Sequence, residues 1–294
     1  MSDGSIARVA TVFLTGRECP WRCLMCDLWQ FTTTADTPHG AIAAQIADAR
    51  ATLVDVECLK LYNAGSFFDP RAVPESDYED IAHHLAGLRR VIVESHPSLV
   101  GARTSRFLEA LGRHGSVGKP SPALEVAMGL ETVHSVALER LNKKMTVEEF
   151  AVAAGRLQSL GVALRVFLLV SPPFVPPAEQ DYWLLRSIGA ACEAGASAIA
   201  LIPTRPGNGA LDAVAAEGCF QPPTLADLER SLDLALAGAA GRSARVFADL
   251  WDLERLAACT HCFVARRERL RRTNLDQQQQ PLVGCSHCAP LPTS

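Results

Sequence analysis

Six short apolar runs separated by segments of helical length constrain this 294-residue chain more than any other feature. The runs fall at 8–14, 57–62, 90–95, 123–130, 162–170 and 197–202, and are dominated by Val, Ile, Leu and Ala. Between them, 40–54, 76–89, 103–114, 146–160, 178–194 and 223–239 carry Ala, Leu, Glu and Arg at helical spacing. A strand that is apolar along its whole length is buried on both faces, the situation of a parallel sheet covered by helices. The expected fold is α/β, a partial (β/α)6 TIM-like barrel over residues 1–240, with a doubly wound sheet as the rival of equal periodicity. A further run, "ARVFAD" at 244–249, leads into a Cys-, Arg- and Gln-rich metal-binding extension over 241–294, in which "QQQQ" (277–280) reads as a solvated loop.

The segments that follow the runs are unlike the rest. "TGRECPWRC", "NAGSFFDP", "ESHPS", "GLETVH", "SPPFVPP" and "PTRPGNG" concentrate Gly, Pro, Ser and acids, and a barrel gathers such loops on the rim where its chemistry sits. Hydrophobic residues at 48% and charged residues at 20% fit a globular domain, and a net charge of -4 argues against a general polyanion binder. No apolar run reaches the length of a membrane span, and the one at 162–170 is interrupted by Arg165. The N-terminus lacks the pattern of a secretory signal, so the expectation is a cytoplasmic protein without a membrane partner. Ten cysteines in a reducing compartment point to metal binding or catalysis rather than disulfides.

Cys19, Cys23 and Cys26 follow a C-x3-C-x2-C pattern directly after the first run. Thiolates at this spacing can wrap one face of an iron–sulfur cluster, and three ligands to a four-iron cube leave one iron open. A zinc site would need a fourth ligand, for which Glu18 and Asp27 are poor partners beside soft thiolates. In spacing and place the triplet resembles the hallmark of the radical S-adenosylmethionine (SAM) enzymes. The resemblance implies a [4Fe-4S] cluster whose open iron chelates SAM. It also implies an electron from a flavodoxin or ferredoxin, and cleavage to a 5′-deoxyadenosyl radical that abstracts a substrate hydrogen; the hard chemistry then belongs to the cofactors. It puts Met25 against the adenine, where the family usually has an aromatic residue, and assigns Ala64, Gly65 and Ser66 to the cofactor's amino group. Glu94, Ser95 and His96 are implied at its ribose and carboxylate, Glu131 at the sugar or amino group, and Arg165 at a cofactor or substrate carboxylate.

The segments "KLYNAGSFFDPRAVP", "VIVESHPSLV", "LEVAMGLET", "LNKKMTVEEF" and "LLVSPPF", with the C-terminal cysteine pairs, resemble the archaeosine synthase branch of the larger Elongator-type group. That branch implies fragmentation of a lysine side chain carried by a 7-deazaguanine base in tRNA, alongside a partner enzyme that attaches the lysine. The acidic balance favours a different substrate, a small molecule or peptide in a biosynthetic pathway.

Cys259 and Cys262, and Cys285 and Cys288, form two C-x2-C pairs 22 residues apart, a set of four thiolates suited to zinc or to a fully ligated auxiliary [4Fe-4S] cluster. His261 and His287 read as loop residues, since four cysteines complete the shell. Arg266, Arg267, Arg269, Arg271 and Arg272 read as a solvated helix face, or as a phosphate-contacting patch if the substrate is RNA. A reading of another class is a zinc-ribbon binding module without catalysis, with zinc at both cysteine sites. Cys58, Cys192 and Cys219 read as small buried hydrophobes.

Overall fold

The computed structural model describes residues 5–63, 65–115 and 120–288, so Ala64 lies outside the described residues. Strands β1 (Val9–Leu14), β2 (Cys58–Asn63), β3 (Arg90–Glu94), β4 (Ala123–Glu131), β5 (Ala163–Val170), β6 (Ala196–Pro203) and β7 (Arg245–Ala248) form one sheet in sequence order. Pairing is parallel, with Phe13 opposite Tyr62, Lys60 opposite Ile92, Glu94 opposite Ala127 and Leu201 opposite Ala248. A doubly wound sheet reverses its strand order at a switch point, and this one never does, which leaves the half-barrel. β7 carries the sheet past residue 240, and its run was the weakest of the seven in sequence because it is four residues long.

Helices α1 (Ala41–Thr52), α2 (Tyr78–Leu85), α3 (Ala102–Arg113), α4 (Ser135–Arg140), α5 (Val147–Ser159), α6 (Gln180–Glu193), α7 (Ala210–Ala216), α8 (Leu225–Gly238) and α9 (Thr260–Asp276) fill the connections. Their starts are written locally. Thr146 Oγ1 accepts from the Glu149 amide at 3.1 Å while Glu149 Oε2 accepts from the Thr146 amide at 2.8 Å, and Thr224 with Asp227 repeats the reciprocal cap at α8. Among the described residues no helix is long and apolar enough to cross a membrane.

The chain divides into two compact units, Met1–Gly129 with Asn142–Arg165, and Leu130–Leu141 with Val166–Ser294. In the first, Phe67 and Phe68 of "NAGSFFD" are fully buried, with Phe67 packing on Phe107 of α3 at 4.7 Å between ring centroids and Tyr78 of α2 on Phe107 at 5.2 Å. Each such ring removes some 150–250 Å² from water, so the segment after β2 is anchored by its own aromatic pair. In the second unit Ile188, Leu228, Leu232 and Leu270 are fully buried.

The edge of β7 is closed by side chains. Asn274 Nδ2 and Oδ1 pair with the carbonyl and amide of Ala248, and Gln277 Nε2 and Oε1 with those of Val246, each at 2.8 Å. Two amides thus replace a neighbouring strand, which blunts an edge that would otherwise template aggregation. This corrects the solvated-loop expectation for "QQQQ" at Gln277, which spends its side chain on the sheet, while Gln278 and Gln279 are exposed as expected.

Candidate cofactor and metal sites

The cysteine loop leaves β1 and is closed at its base by backbone bonds, Thr33 N to Gly16 O and Glu18 N to Thr33 O, both 2.9 Å. Gly16 is needed there: a Cβ would meet the Ala72 carbonyl and Thr37 Oγ1 at 3.0 Å. Above that neck, the Cys26 amide donates to the Cys23 carbonyl at 3.0 Å, and Cys19, Cys23 and Cys26 are half-buried thiols outside any disulfide. Burial pushes the Cys19 thiol up, and it outweighs the Trp21 amide directed at the sulfur and the charge of Lys143, both of which lower it. Met25 lies half-buried between the last two cysteines.

The ends of β2 and β3 are stitched to one another. Ser66 Oγ accepts from the His96 amide at 2.8 Å, the Phe67 amide donates to the Glu94 carbonyl at 2.8 Å, and the Ser95 amide donates to the Ala127 carbonyl at 3.0 Å. The structure therefore brings Gly65, Ser66, Glu94, Ser95 and His96 together; Ser66 and Ser95 are buried, and the Ser95 hydroxyl donates to the His96 carbonyl at 3.1 Å. Asn63, the last residue of β2, escaped the sequence reading. Its Oδ1 is buried and has no hydrogen-bond partner in the described structure, a costly state for an acceptor unless a donor arrives with a ligand. Its mark in sequence is slight, a polar residue directly after the run at 57–62.

Arg165 and Glu131 have surroundings of their own. Glu131 ends β4 in the second unit, buried and at a φ of 64°, beside a small recess lined by Thr132, Ser171, Gln180, Ser187 and Arg230. Arg165 is near the start of β5, the opposite end from the loops, and its Nε donates to Glu125 at 2.7 Å while Arg90 takes the other carboxylate oxygen. The expectation that Arg165 meets a cofactor or substrate carboxylate is corrected to this internal partner, since a guanidinium this buried takes the nearest carboxylate the sheet offers.

At the far end of the chain Cys259, Cys262, Cys285 and Cys288 offer four sulfurs that all lie within 4.8 Å of one another. Cys259 to Cys285 is 4.0 Å and Cys262 to Cys288 is 3.5 Å. Cys259 precedes α9 and Cys262 sits in its first turn, whose amide, with that of His261, holds the Cys259 thiol down at about 6; the hydrogen bond it shares with Cys259 pushes Cys288 up to about 12. The returning segment is tied by buried Arg269, which donates to the Gln280 and Pro281 carbonyls at 3.0 and 3.1 Å and to Asp233 of α8 at 2.7 Å. Arg266 pairs with Glu229, Arg267 with Glu254, and Arg271 and Arg272 with Glu268, so the arginine run is matched by carboxylates along its length. His261 and His287 stack on each other at 3.8 Å and are not among the four converging ligands.

No family model matches the chain. Among solved structures it is similar to the archaeal Methanocaldococcus infernus Elp3, with a TM-score of 0.59 and 12% identity over 92% of this chain and 64% of that one. It is also similar to methylornithine synthase (TM-score 0.53, 12% identity, 89% and 81%) and to coproporphyrinogen III oxidase from Escherichia coli, a radical SAM enzyme (TM-score 0.51, 12% identity, 80% and 52%). The chain has the radical SAM fold. In sequence, the radical SAM-fold chain is 27% identical to the archaeosine synthase subunit beta of Methanosarcina acetivorans over 76% of its length and 65% of that protein's. It is 25% identical to the subunit of the same name from Thermococcus kodakarensis over 54% and 48%, and 24% identical to the uncharacterized protein MJ0550 of Methanocaldococcus jannaschii over 68% and 57%. It thus spans less than two thirds of the length of these curated relatives.

Proposed function

We propose that this chain is a radical SAM enzyme in which Cys19, Cys23 and Cys26 hold three irons of a [4Fe-4S] cluster. What carries the reading is one loop of three half-buried cysteines leaving the first strand of a radical SAM fold. The residues present suit the group: no disulfide consumes the thiols, the ends of β2 and β3 lie beside each other, and buried Asn63 Oδ1 is an acceptor in want of a donor such as the cofactor's ammonium. When bound, the cluster and SAM supply one-electron cleavage of the cofactor and hydrogen abstraction from the substrate, with the electron drawn from a flavodoxin- or ferredoxin-type donor. This chain's residues hold the cofactor: Gly65 and Ser66 with Asn63 at its amino end, Glu94 and Ser95 at ribose and carboxylate, and Met25 at the adenine.

For the substrate, likeness to archaeosine synthase beta subunits supports a lysine-bearing 7-deazaguanine base in tRNA, prepared by a partner enzyme. A second reading, a small molecule or peptide, is favoured by the pairing of the α9 arginines with carboxylates, which offsets the charge of the most basic stretch. For the C-terminal site we infer a single tetrahedral zinc. A Zn–S bond of about 2.3 Å sets thiolates about 3.8 Å apart in a tetrahedron, and the paired sulfurs stand 3.5 and 4.0 Å apart. A [4Fe-4S] cube, with irons at alternate corners and one thiolate on each, holds its thiolates farther from one another.

The test is anaerobic reconstitution of the full chain, counting iron and zinc and assaying 5′-deoxyadenosine after reductant and SAM. The expected result is iron that depends on Cys23, zinc that depends on Cys285, and product lost in Cys23→Ala; wild-type chain without iron at the first site would sink the reading and favour a zinc-ribbon module. Modified nucleosides in tRNA from cells with and without the protein separate the two substrates.

A further inference from the structure

We propose that His96 is a positioning residue that holds the cysteine loop in shape through Trp21. The idea rests on the reading above, that the loop carries the cluster. Trp21 lies between Cys19 and Cys23, and its ring stacks on the His96 imidazole with centroids 3.9 Å apart and planes 9° from parallel. The imidazole cannot turn beneath it. The Ser98 amide donates to Nδ1 at 3.2 Å, so that nitrogen carries no proton; Nε2 therefore carries it and donates to the Lys143 carbonyl at 2.9 Å. Ser98 Oγ also contacts Nδ1 at 2.8 Å, and Ser66 Oγ and Ser95 Oγ take the backbone amide and carbonyl of the same residue.

Both ring nitrogens are thereby occupied, which leaves His96 no donor for a cofactor carboxylate and leaves its face to Trp21. Burial keeps the ring uncharged by lowering its pKa to about 4, so it offers a flat aromatic surface. From the indole the constraint reaches the loop itself, because Trp21 sits between Cys19 and Cys23. The turn that accepts from His96 also grips the loop a second time: Asn142 Nδ2 donates to the Arg22 carbonyl at 2.7 Å. Asn142 and Lys144 hold that turn at φ of 56° and 55°, a conformation that a residue with a side chain adopts only when its surroundings fix it.

The experiment uses the full chain, reconstituted anaerobically with iron and sulfide, as wild type, His96→Ala, His96→Phe, Trp21→Ala, the His96→Ala/Trp21→Ala double variant and Cys23→Ala as the blank. Three quantities are read: the electron paramagnetic resonance signal of the reduced cluster, its change on adding SAM, and the rate at which a ferrous-iron chelator strips the Cys23-dependent iron. Losing an aromatic stack should make His96→Ala and Trp21→Ala each shed iron about tenfold faster. The double variant should be no faster than either single one, because both act through one contact. His96→Phe, which keeps a ring, should stay within about threefold of wild type, and every loaded variant should keep its response to SAM. The proposal is overturned if His96→Ala sheds iron at the wild-type rate, if the single effects multiply in the double variant, or if His96→Phe is as labile as His96→Ala. It is equally overturned if His96→Ala keeps its cluster but loses the response to SAM, the behaviour of a cofactor ligand. A Cys23→Ala chain with the wild-type signal refutes instead the cluster reading beneath it. Trp21 is half-buried, so its variant tests the contact without emptying the core.

Discussion

Removing the guanidinium of Arg269 should loosen the C-terminal metal site although the residue touches none of the four thiols. Arg269 is 3% exposed and clamps the segment that returns Cys285 and Cys288 to Cys259 and Cys262. In Arg269→Met the stem volume is kept, so the loss is polar. The Gln280 and Pro281 carbonyls are half-buried and exposed and can turn to water, but Asp233, bonded at 2.7 Å, is left as a half-buried carboxylate without its cation. Breaking such a pair from one side costs about 3 kcal/mol, at the lower end because Asp233 keeps some solvent contact. If that energy is what holds the returning segment closed, about 3 kcal/mol converts to metal release on the order of a hundredfold faster. The assay is zinc transfer from the full chain to a chromogenic chelator, with urea unfolding of the metal-free chain alongside. Adding Asp233→Asn to Arg269→Met should recover part of the loss, because the uncompensated charge is then gone. Release within about threefold of wild type, with unchanged urea stability, would refute the clamp and leave the four cysteines closing on their own.

Three shorter predictions address the sheet, the loop and the cofactor. Burial pushes the Glu125 carboxyl up, but Arg165 and Arg90 outweigh it and hold the group below the ordinary carboxylate range in the folded chain. The triad's contribution is thus complete above the ordinary carboxylate range and lost as pH falls beneath it, so Glu125→Gln should lower urea midpoints near about pH 7 and flatten their decline toward about pH 3; parallel pH curves for the two chains would count against it. Gly16→Ala forces a methyl to 3.0 Å from the Ala72 carbonyl and Thr37 Oγ1, and should cost about 1–3 kcal/mol of stability in chemical denaturation. Asn63→Leu should leave the metal-free chain no less stable, since it removes an orphaned acceptor, yet weaken SAM binding to the reconstituted chain about tenfold in equilibrium dialysis; unchanged affinity would remove Asn63 from the site.

What was legible in the sequence is what depends on local pattern. Strand runs buried on both faces and cysteines at metal-binding spacing carry their meaning within a few residues, whereas the choice between a barrel and a doubly wound sheet is made by which strands pair. Arg165 shows where pattern stops. Its place inside an apolar run announces a buried charge in need of a partner, but the choice between a ligand carboxylate and Glu125, 40 residues away, is made by the parallel register that lays β4 beside its neighbours. The α9 arginines and Gln277 teach the same lesson from the surface. Five arginines in seven positions look like a patch for phosphate, and four glutamines like a solvated spacer, because composition counts groups without counting what faces them. The fold faces Arg266 and Arg269 with Glu229 and Asp233, and Gln277 with the bare edge of β7. His96 is the instructive middle case: its loop predicts a role at the cofactor, while the fold satisfies its two ring nitrogens with Ser98 and Lys143 and lays its face on Trp21. Polar residues at the strand ends of this chain therefore divide into those whose hydrogen bonds are already met within the fold, which shape the site, and those such as Asn63 whose bonds are unmet, which wait for what the site binds.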